Sequence, residues 1–143
     1  MVRGYLAEQF DQLLYSTRSQ VHPRTPSTTT ANNISSAVAA KDLLQNAYVF
    51  ESDLLLYNPK LITKYQYSSN YLGVPVQVTD DWCFQTRRGV ITGLSVGGTD
   101  CHHMFGISYW TEEDGRKLAD DVPATFAMPG GKERYWDEVA LRY

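Results

Sequence analysis

Cysteine is scarce in this 143-residue chain. Only Cys83 and Cys101 are present, too few for a disulfide framework. That scarcity favours a reduced, intracellular setting. Charge of one sign is also lacking. Net charge is −3, so nothing calls for nucleic acid or an anionic membrane as partner. No apolar run approaches the ~20 residues of a membrane span. The start, Met1-Val2-Arg3-Gly4-Tyr5, has no apolar signal region, and the expected location is the cytoplasm. There is no internal repeat. Phosphate-loop spacing GxxxxGK[ST] is missing, so Gly130-Gly131-Lys132 reads as a turn. No Gly-x-Ser-x-Gly elbow occurs, and no Cys–His pair has a family spacing. Cys101-His102-His103 has only Cys83 to join it, which falls short of the four regularly spaced ligands of a closed zinc site.

What is present is an ordinary globular composition, 43% hydrophobic and 20% charged, long enough for one domain with a core. Ten Tyr and three Trp are many for this length. They gather after residue 48, which suggests an aromatic site as well as an aromatic core.

The stretch Asn46 to Tyr57 organises the chain. Tyr48 to Phe50 reads as a short buried strand running into Glu51 and Asp53. Alternation along a strand sends those two acids to one side. No Lys or Arg nearby offers a local salt bridge. Two readings stand: solvated acids in a turn, or carboxylates that hold a divalent cation such as Mg²⁺ together with substrate phosphates.

Around this stretch the elements read in order. Leu6, Phe10, Leu13 and Leu14 recur at helical spacing. Residues 16–31 carry one large aliphatic, two prolines and a Thr run, and read as an irregular loop or disordered insert. Asn32 to Ser36 supply cap candidates before a helix over 37–44. A second helix is expected from Pro59 to Tyr67. Strands are expected at Gly73–Val78, Asp81–Thr86, Val90–Val96 and His103–Trp110, with a hairpin turn at Arg87-Arg88-Gly89. Thr111 to Asp114 caps a helix with Leu118 and Val122 inside. A last helix is expected over 133–141. Strand–helix alternation of this kind implies an α/β protein with a parallel sheet.

Trp82 follows Asp80-Asp81, and Tyr135-Trp136-Asp137 lies near the end. Ring faces beside carboxylates suit a quaternary ammonium, which offers no N–H donor. Core packing explains the same residues equally simply.

Gly4-Tyr5-Leu6 through Phe10, Asn32-Asn33-Ile34-Ser35-Ser36, Phe50-Glu51-Ser52-Asp53, Asp81-Trp82, Ile107-Ser108-Tyr109-Trp110 and Tyr135-Trp136-Asp137 occur in a familiar order and spacing. Together they resemble the bacterial CTP:phosphocholine cytidylyltransferases of the sugar-nucleotidyltransferase superfamily, over residues 1–15 and 32–143. The resemblance implies a Rossmann-like, mixed and mainly parallel sheet with flanking helices. It implies an enzyme that joins CTP and phosphocholine to give CDP-choline and pyrophosphate, with Mg²⁺. Asp53 falls on the family's metal-binding aspartate, and Glu51 on a partner acid that is usually Asp. Asn32, Asn33 and Ser36 fall on the segment facing the nucleotide. Trp82, Tyr135 and Trp136 fall on the choline cage, with Asp137 beside it.

The family's opening strand and glycine-rich signature loop are not matched, nor is its last strand. The expectation is therefore a single incomplete domain over 1–143, an internal fragment inactive alone. A non-catalytic remnant that binds a choline-type ligand or a partner chain is the alternative. The insert at 16–31 is what a local frameshift would produce, and the other reading frames of the coding DNA test that idea.

Overall fold

The computed structural model describes residues 31–64 and 66–142. The expected helix through Leu6 to Leu14 lies outside the described residues. So does the 16–31 segment, apart from Ala31.

In chain order the elements are α1 (Ile34–Ala39), a 3₁₀ turn at Lys41–Leu43, β1 (Ala47–Phe50) and a second 3₁₀ turn at Pro59–Leu61. Then follow β2 (Asn70–Arg87), β3 (Val90–Trp110), α2 (Glu112–Ala127) and α3 (Trp136–Ala140). Two compact units result. Gln45–Gly115 forms one; the described residues 31–44 and 116–142 form the other.

The first unit is a three-stranded sheet of order β1-β3-β2, and every pairing in it is antiparallel. The expectation of a mainly parallel sheet is corrected among the described residues. The reason is the connection. Parallel neighbours need a crossover of a dozen or more residues, whereas β2 and β3 are joined by Arg88-Gly89 alone. Both have positive φ, 53° and 79°, as the tightest hairpin turns require. Arg87 accordingly pairs with Val90.

Strands expected as separate pieces fuse into this one long hairpin, which then folds back on itself. Thr79 pairs with Gly98 and Trp82 with Val96, so β2 holds one extra residue there. Gly97, at φ 76°, turns the opposite strand. Beyond the bend Cys83 and Phe84 are paired on both sides, to Ser95 and Leu94 and to His103 and His102. Phe84 stacks on His102 with centroids 5.6 Å apart and meets Tyr71 edge-on. Gly98 leaves room for the sulfurs, since a Cβ there would stand 2.9 Å from Cys83 Sγ and 3.2 Å from Cys101 Sγ.

β1 is less buried than expected. Its first three residues are half-buried, and Phe50 is 42% exposed. Tyr48 packs edge-on against Tyr109 on β3, its register partner. The expected helix from Pro59 to Tyr67 shrinks to the three-residue turn at Pro59–Leu61, which Asn58 caps by accepting from the Lys60 N–H.

In the second unit Ile34 and Ala37 of α1, Leu118 and Val122 of α2, and Trp136 and Val139 of α3 are buried. α1 begins earlier and ends sooner than expected. Asn33 stands at its N-cap position without capping it through the side chain. The α2 start is as expected: Thr111 Oγ1 accepts the Asp114 N–H and donates to Asp114 Oδ2. α3 covers five residues rather than 133–141, because Pro129 to Arg134 is taken up by turns around Gly130 at φ 73°. No helix among the described residues is long and apolar enough to cross a membrane.

Candidate functional site

The acidic stretch and the sheet meet at the end of β1. Pairing with β3 stops at Phe50 opposite Ile107. The strand ends there, so Glu51 and Asp53 sit in the turn beyond it, and strand alternation does not bring them together. The turn does. One more backbone hydrogen bond continues the ladder, from Glu51 N–H to the Gly106 carbonyl at 2.9 Å.

Glu51 titrates above the usual carboxylate range. Partial burial is the largest cause, followed by the negative charges of Asp53 and then Asp81. Asp81 comes from the bend of the long hairpin, where its side chain accepts the Trp82 N–H at 2.7 Å. Its other oxygen lies 3.5 Å from His103 Nε2. Strand end and hairpin bend thus bring three carboxylates and an imidazole to one neighbourhood. Like charges gathered in this way raise the cost of ionising Glu51. Among the described residues no group of three or more His, Cys, Asp or Glu is placed to hold a metal by itself.

Trp82 is half-buried at the bend, opposite Val96. Tyr135, Trp136 and Asp137 belong to the other unit. Tyr135 is 41% exposed, while Trp136 and Asp137 are each 6% exposed and sit within the packed interior.

Asn32 and Asn33 hold the loop that leads to these aromatics. Asn32 donates its backbone N–H to the Lys132 carbonyl at 2.7 Å and its side-chain amide to the Glu133 carbonyl at 3.2 Å. Asn33 Oδ1 accepts the Trp136 N–H at 2.9 Å. Residues singled out for the nucleotide and residues singled out for choline are therefore joined, although about a hundred positions separate them. Ser36 lies on α1 and is half-buried.

Three contributors escape the sequence reading of the acidic site: Asp81 as a neighbour of Glu51, His103 as its partner, and Gly106. A glycine inside an apolar strand pattern is a signal for a bulge. Nothing local announces the other two, because only the folded-back hairpin brings them near Glu51.

No protein-family model matches the chain. It is 32% identical over 143 residues to a 2-aminoethylphosphonate cytidylyltransferase of Lancefieldella rimae, covering 97% of this chain and 58% of that protein. To a choline-phosphate cytidylyltransferase of Haemophilus influenzae it is 23% identical over 155 residues, all of this chain and 62% of that protein. Among solved structures it resembles the CTP:phosphocholine cytidylyltransferase of Streptococcus pneumoniae, with a TM-score of 0.83 at 21% identity. That match covers 96% of this chain and 60% of the other, and it shows the fold. The chain spans about six tenths of the length of the proteins it matches.

Proposed function

We propose, from the premise that its relatives and structural neighbour are cytidylyltransferases, that this chain carries part of a nucleotidyl-transfer centre. The reaction is the joining of CTP and phosphocholine to CDP-choline and pyrophosphate. An oxygen of the acceptor phosphate bonds to the α-phosphorus of CTP, and the bond from that phosphorus to the pyrophosphate breaks. The attacking oxygen is already anionic, so no general base is required. The protein's task is to hold two anions in line and to offset their charge.

Glu51 and Asp53 are the residues that would hold Mg²⁺. Their mutual repulsion and the partial burial of Glu51 fit a carboxylate pair awaiting a cation. When bound, that ion supplies charge neutralisation at the phosphates. Asn32 and Asn33 keep the nucleotide-facing segment fixed to the 132–136 loop, and Ser36 presents its hydroxyl from α1. Trp82 would offer a ring face to the ammonium group of the acceptor; Tyr135, assigned the same role by the family resemblance, belongs to the other unit.

One observation carries the reading: similarity to a cytidylyltransferase across 97% of this chain. The same relative favours a second acceptor, 2-aminoethylphosphonate. Its primary ammonium donates N–H bonds, which a carboxylate such as Asp81 beside Trp82 would accept, whereas the quaternary ammonium of choline has no N–H to donate. Calorimetry with CTP–Mg²⁺, phosphocholine and 2-aminoethylphosphonate separately, followed by pyrophosphate release, tests the proposal. Binding of CTP–Mg²⁺ and of one acceptor supports it. Acceptor binding without CTP binding or turnover supports a non-catalytic remnant. No binding of any of the three sinks both the enzyme and the choline-binding remnant.

A further inference from the structure

Residues 132–135 are exposed, and surface loops are usually the mobile parts of a protein. This loop is held at every step. The Gly131 N–H donates to the Met128 carbonyl at 2.9 Å, and the Gly131 carbonyl accepts the Arg134 N–H at 3.3 Å. The carbonyls of Lys132 and Glu133 accept from the backbone and side-chain amides of Asn32. The Tyr135 N–H donates to Glu138 Oε2, and the Trp136 N–H to Asn33 Oδ1, each at 2.9 Å. Gly131 fixes the entry. A Cβ there would overlap the Thr125 carbonyl oxygen and stand 3.0 Å from that of Met128, and both are backbone atoms that cannot swing aside. The far anchors are the two residues just before α1. Asn32 uses both polar ends of its side chain within the protein: Oδ1 accepts the Asn33 N–H at 2.8 Å while Nδ2 serves Glu133. Anchors and loop belong to one unit. Tyr135, 41% exposed, is the ring that this fixed loop carries to the surface. A ring held in place beforehand meets a ligand without the cost of ordering it.

We propose that Asn32 and Asn33 are positioning residues for the acceptor: they act on its ammonium group through the 131–136 loop, by fixing where the Tyr135 ring stands, and not by touching the nucleotide. The inference rests on the reading of Tyr135 as a ring face for that ammonium. It moves the asparagine pair from the nucleotide side of the reaction to the acceptor side. Ring faces attract primary and quaternary ammonium alike, so it holds for either acceptor. Two consequences follow from acting through a ring. The loss on removing an anchor appears in acceptor affinity and not in CTP affinity. It also cannot exceed what the ring itself contributes.

A double-mutant cycle on the full chain tests this, with wild type, Asn33→Ala, Tyr135→Ala and the double variant. Calorimetry with phosphocholine and with 2-aminoethylphosphonate reads the acceptor. Asn33→Ala should weaken the acceptor that wild type binds by about twofold to thirtyfold, and no more than Tyr135→Ala does. In the Tyr135→Ala background the same change should matter by less than about twofold. Asn33→Asp keeps the oxygen that accepts the Trp136 N–H and should restore acceptor affinity. CTP–Mg²⁺ affinity should move by less than about twofold in Asn33→Ala. Hydrogen exchange reads the loop with no ligand present. Relative to the amides of α2, the Trp136 amide should exchange about two- to tenfold faster in Asn33→Ala, and not in Asn33→Asp. If Asn33→Ala does not fold, Asn32→Asp takes its place in the cycle, since it loses the bond to the Glu133 carbonyl and keeps that to the Asn33 N–H. Failure of both to fold overturns the proposal in favour of a structural role. So does an unchanged acceptor affinity in Asn33→Ala, an equal acceptor loss with and without the Tyr135 ring, or a larger loss for CTP–Mg²⁺ than for the acceptor. Wild-type acceptor affinity in Tyr135→Ala, or no acceptor bound by wild type, overturns the reading of Tyr135 beneath it, and the two failures are thereby told apart.

Discussion

Asn33 Oδ1 and the Trp136 backbone N–H are hydrogen-bonded at 2.9 Å across 103 positions of sequence. The contact ties the start of α1 to the start of α3. A side chain that stands at an N-cap position therefore serves a distant helix instead of its own. Asn33→Ala leaves a partly buried N–H without this acceptor and should destabilise the chain by about 1–3 kcal/mol. Asn33→Asp keeps the acceptor and should recover most of that. Urea midpoints of the two variants check the pair: equal losses would show that the amide oxygen is not what matters.

Asp53 lies past the end of β1 and is exposed, so the fold depends on it little. Asp53→Ala should change stability by no more than about 0.5 kcal/mol. Pyrophosphate release in the cytidylyltransfer assay should fall at least about a hundredfold, the scale of losing one electrostatic partner of a reacting group. Turnover at the wild-type rate would remove Asp53 from the site.

Trp82→Ala separates acceptor binding from nucleotide binding. One cation–π contact contributes about 0.5–2 kcal/mol, so phosphocholine affinity should fall between about twofold and about thirtyfold. CTP–Mg²⁺ affinity should change much less. Calorimetry on one protein gives both numbers. Equal losses for the two ligands would mean that Trp82 supports the fold instead of the acceptor.

Glu51 gives a pH signature with a definite sign. Its folded-state pKa is raised, chiefly by burial and then by Asp53 and Asp81. The folded chain thus keeps this proton at a pH where the unfolded chain has lost it. Stability falls as pH rises from the ordinary glutamate range through the raised value, and the deficit is constant above it. Glu51→Gln removes the ionisation. The variant should unfold at higher urea than wild type near neutral pH, and this advantage should vanish in acid below the ordinary glutamate range. An advantage of the same size at both pH values would trace it to packing.

Parts of this architecture are legible from local sequence. Arg88-Gly89 between strand-forming runs predicts the hairpin, because the turn chemistry is contained in the turn. Thr111 through Asp114 predicts the α2 start for the same reason, and Leu118 and Val122 fall inside as their spacing implies. Strand direction is not local. Tyr48 to Phe50 reads as a strand, but only its partner on β3 makes it antiparallel. Helix length is local only in part: Pro59-Lys60-Leu61 starts a turn that nothing extends into a helix. The site divides likewise. The acids at 51 and 53 stand out in the sequence. Asp81, His103 and Gly106 join them through register shifts in β2 and β3, which no short-range pattern encodes.

The doubling-back of the long hairpin also bears on how the chain meets other chains. An extended arm of two strands this long presents open backbone donors and acceptors along both sides, a ready template for any other extended segment. Here Cys83 and Phe84 already have a neighbour on each side, Ser95 and Leu94 on one and His103 and His102 on the other. The arm occupies its own edge where its apolar content is greatest. A variant that straightens the bend at Gly97-Gly98 would open that edge, and its first consequence would be self-association into sheet-rich aggregates.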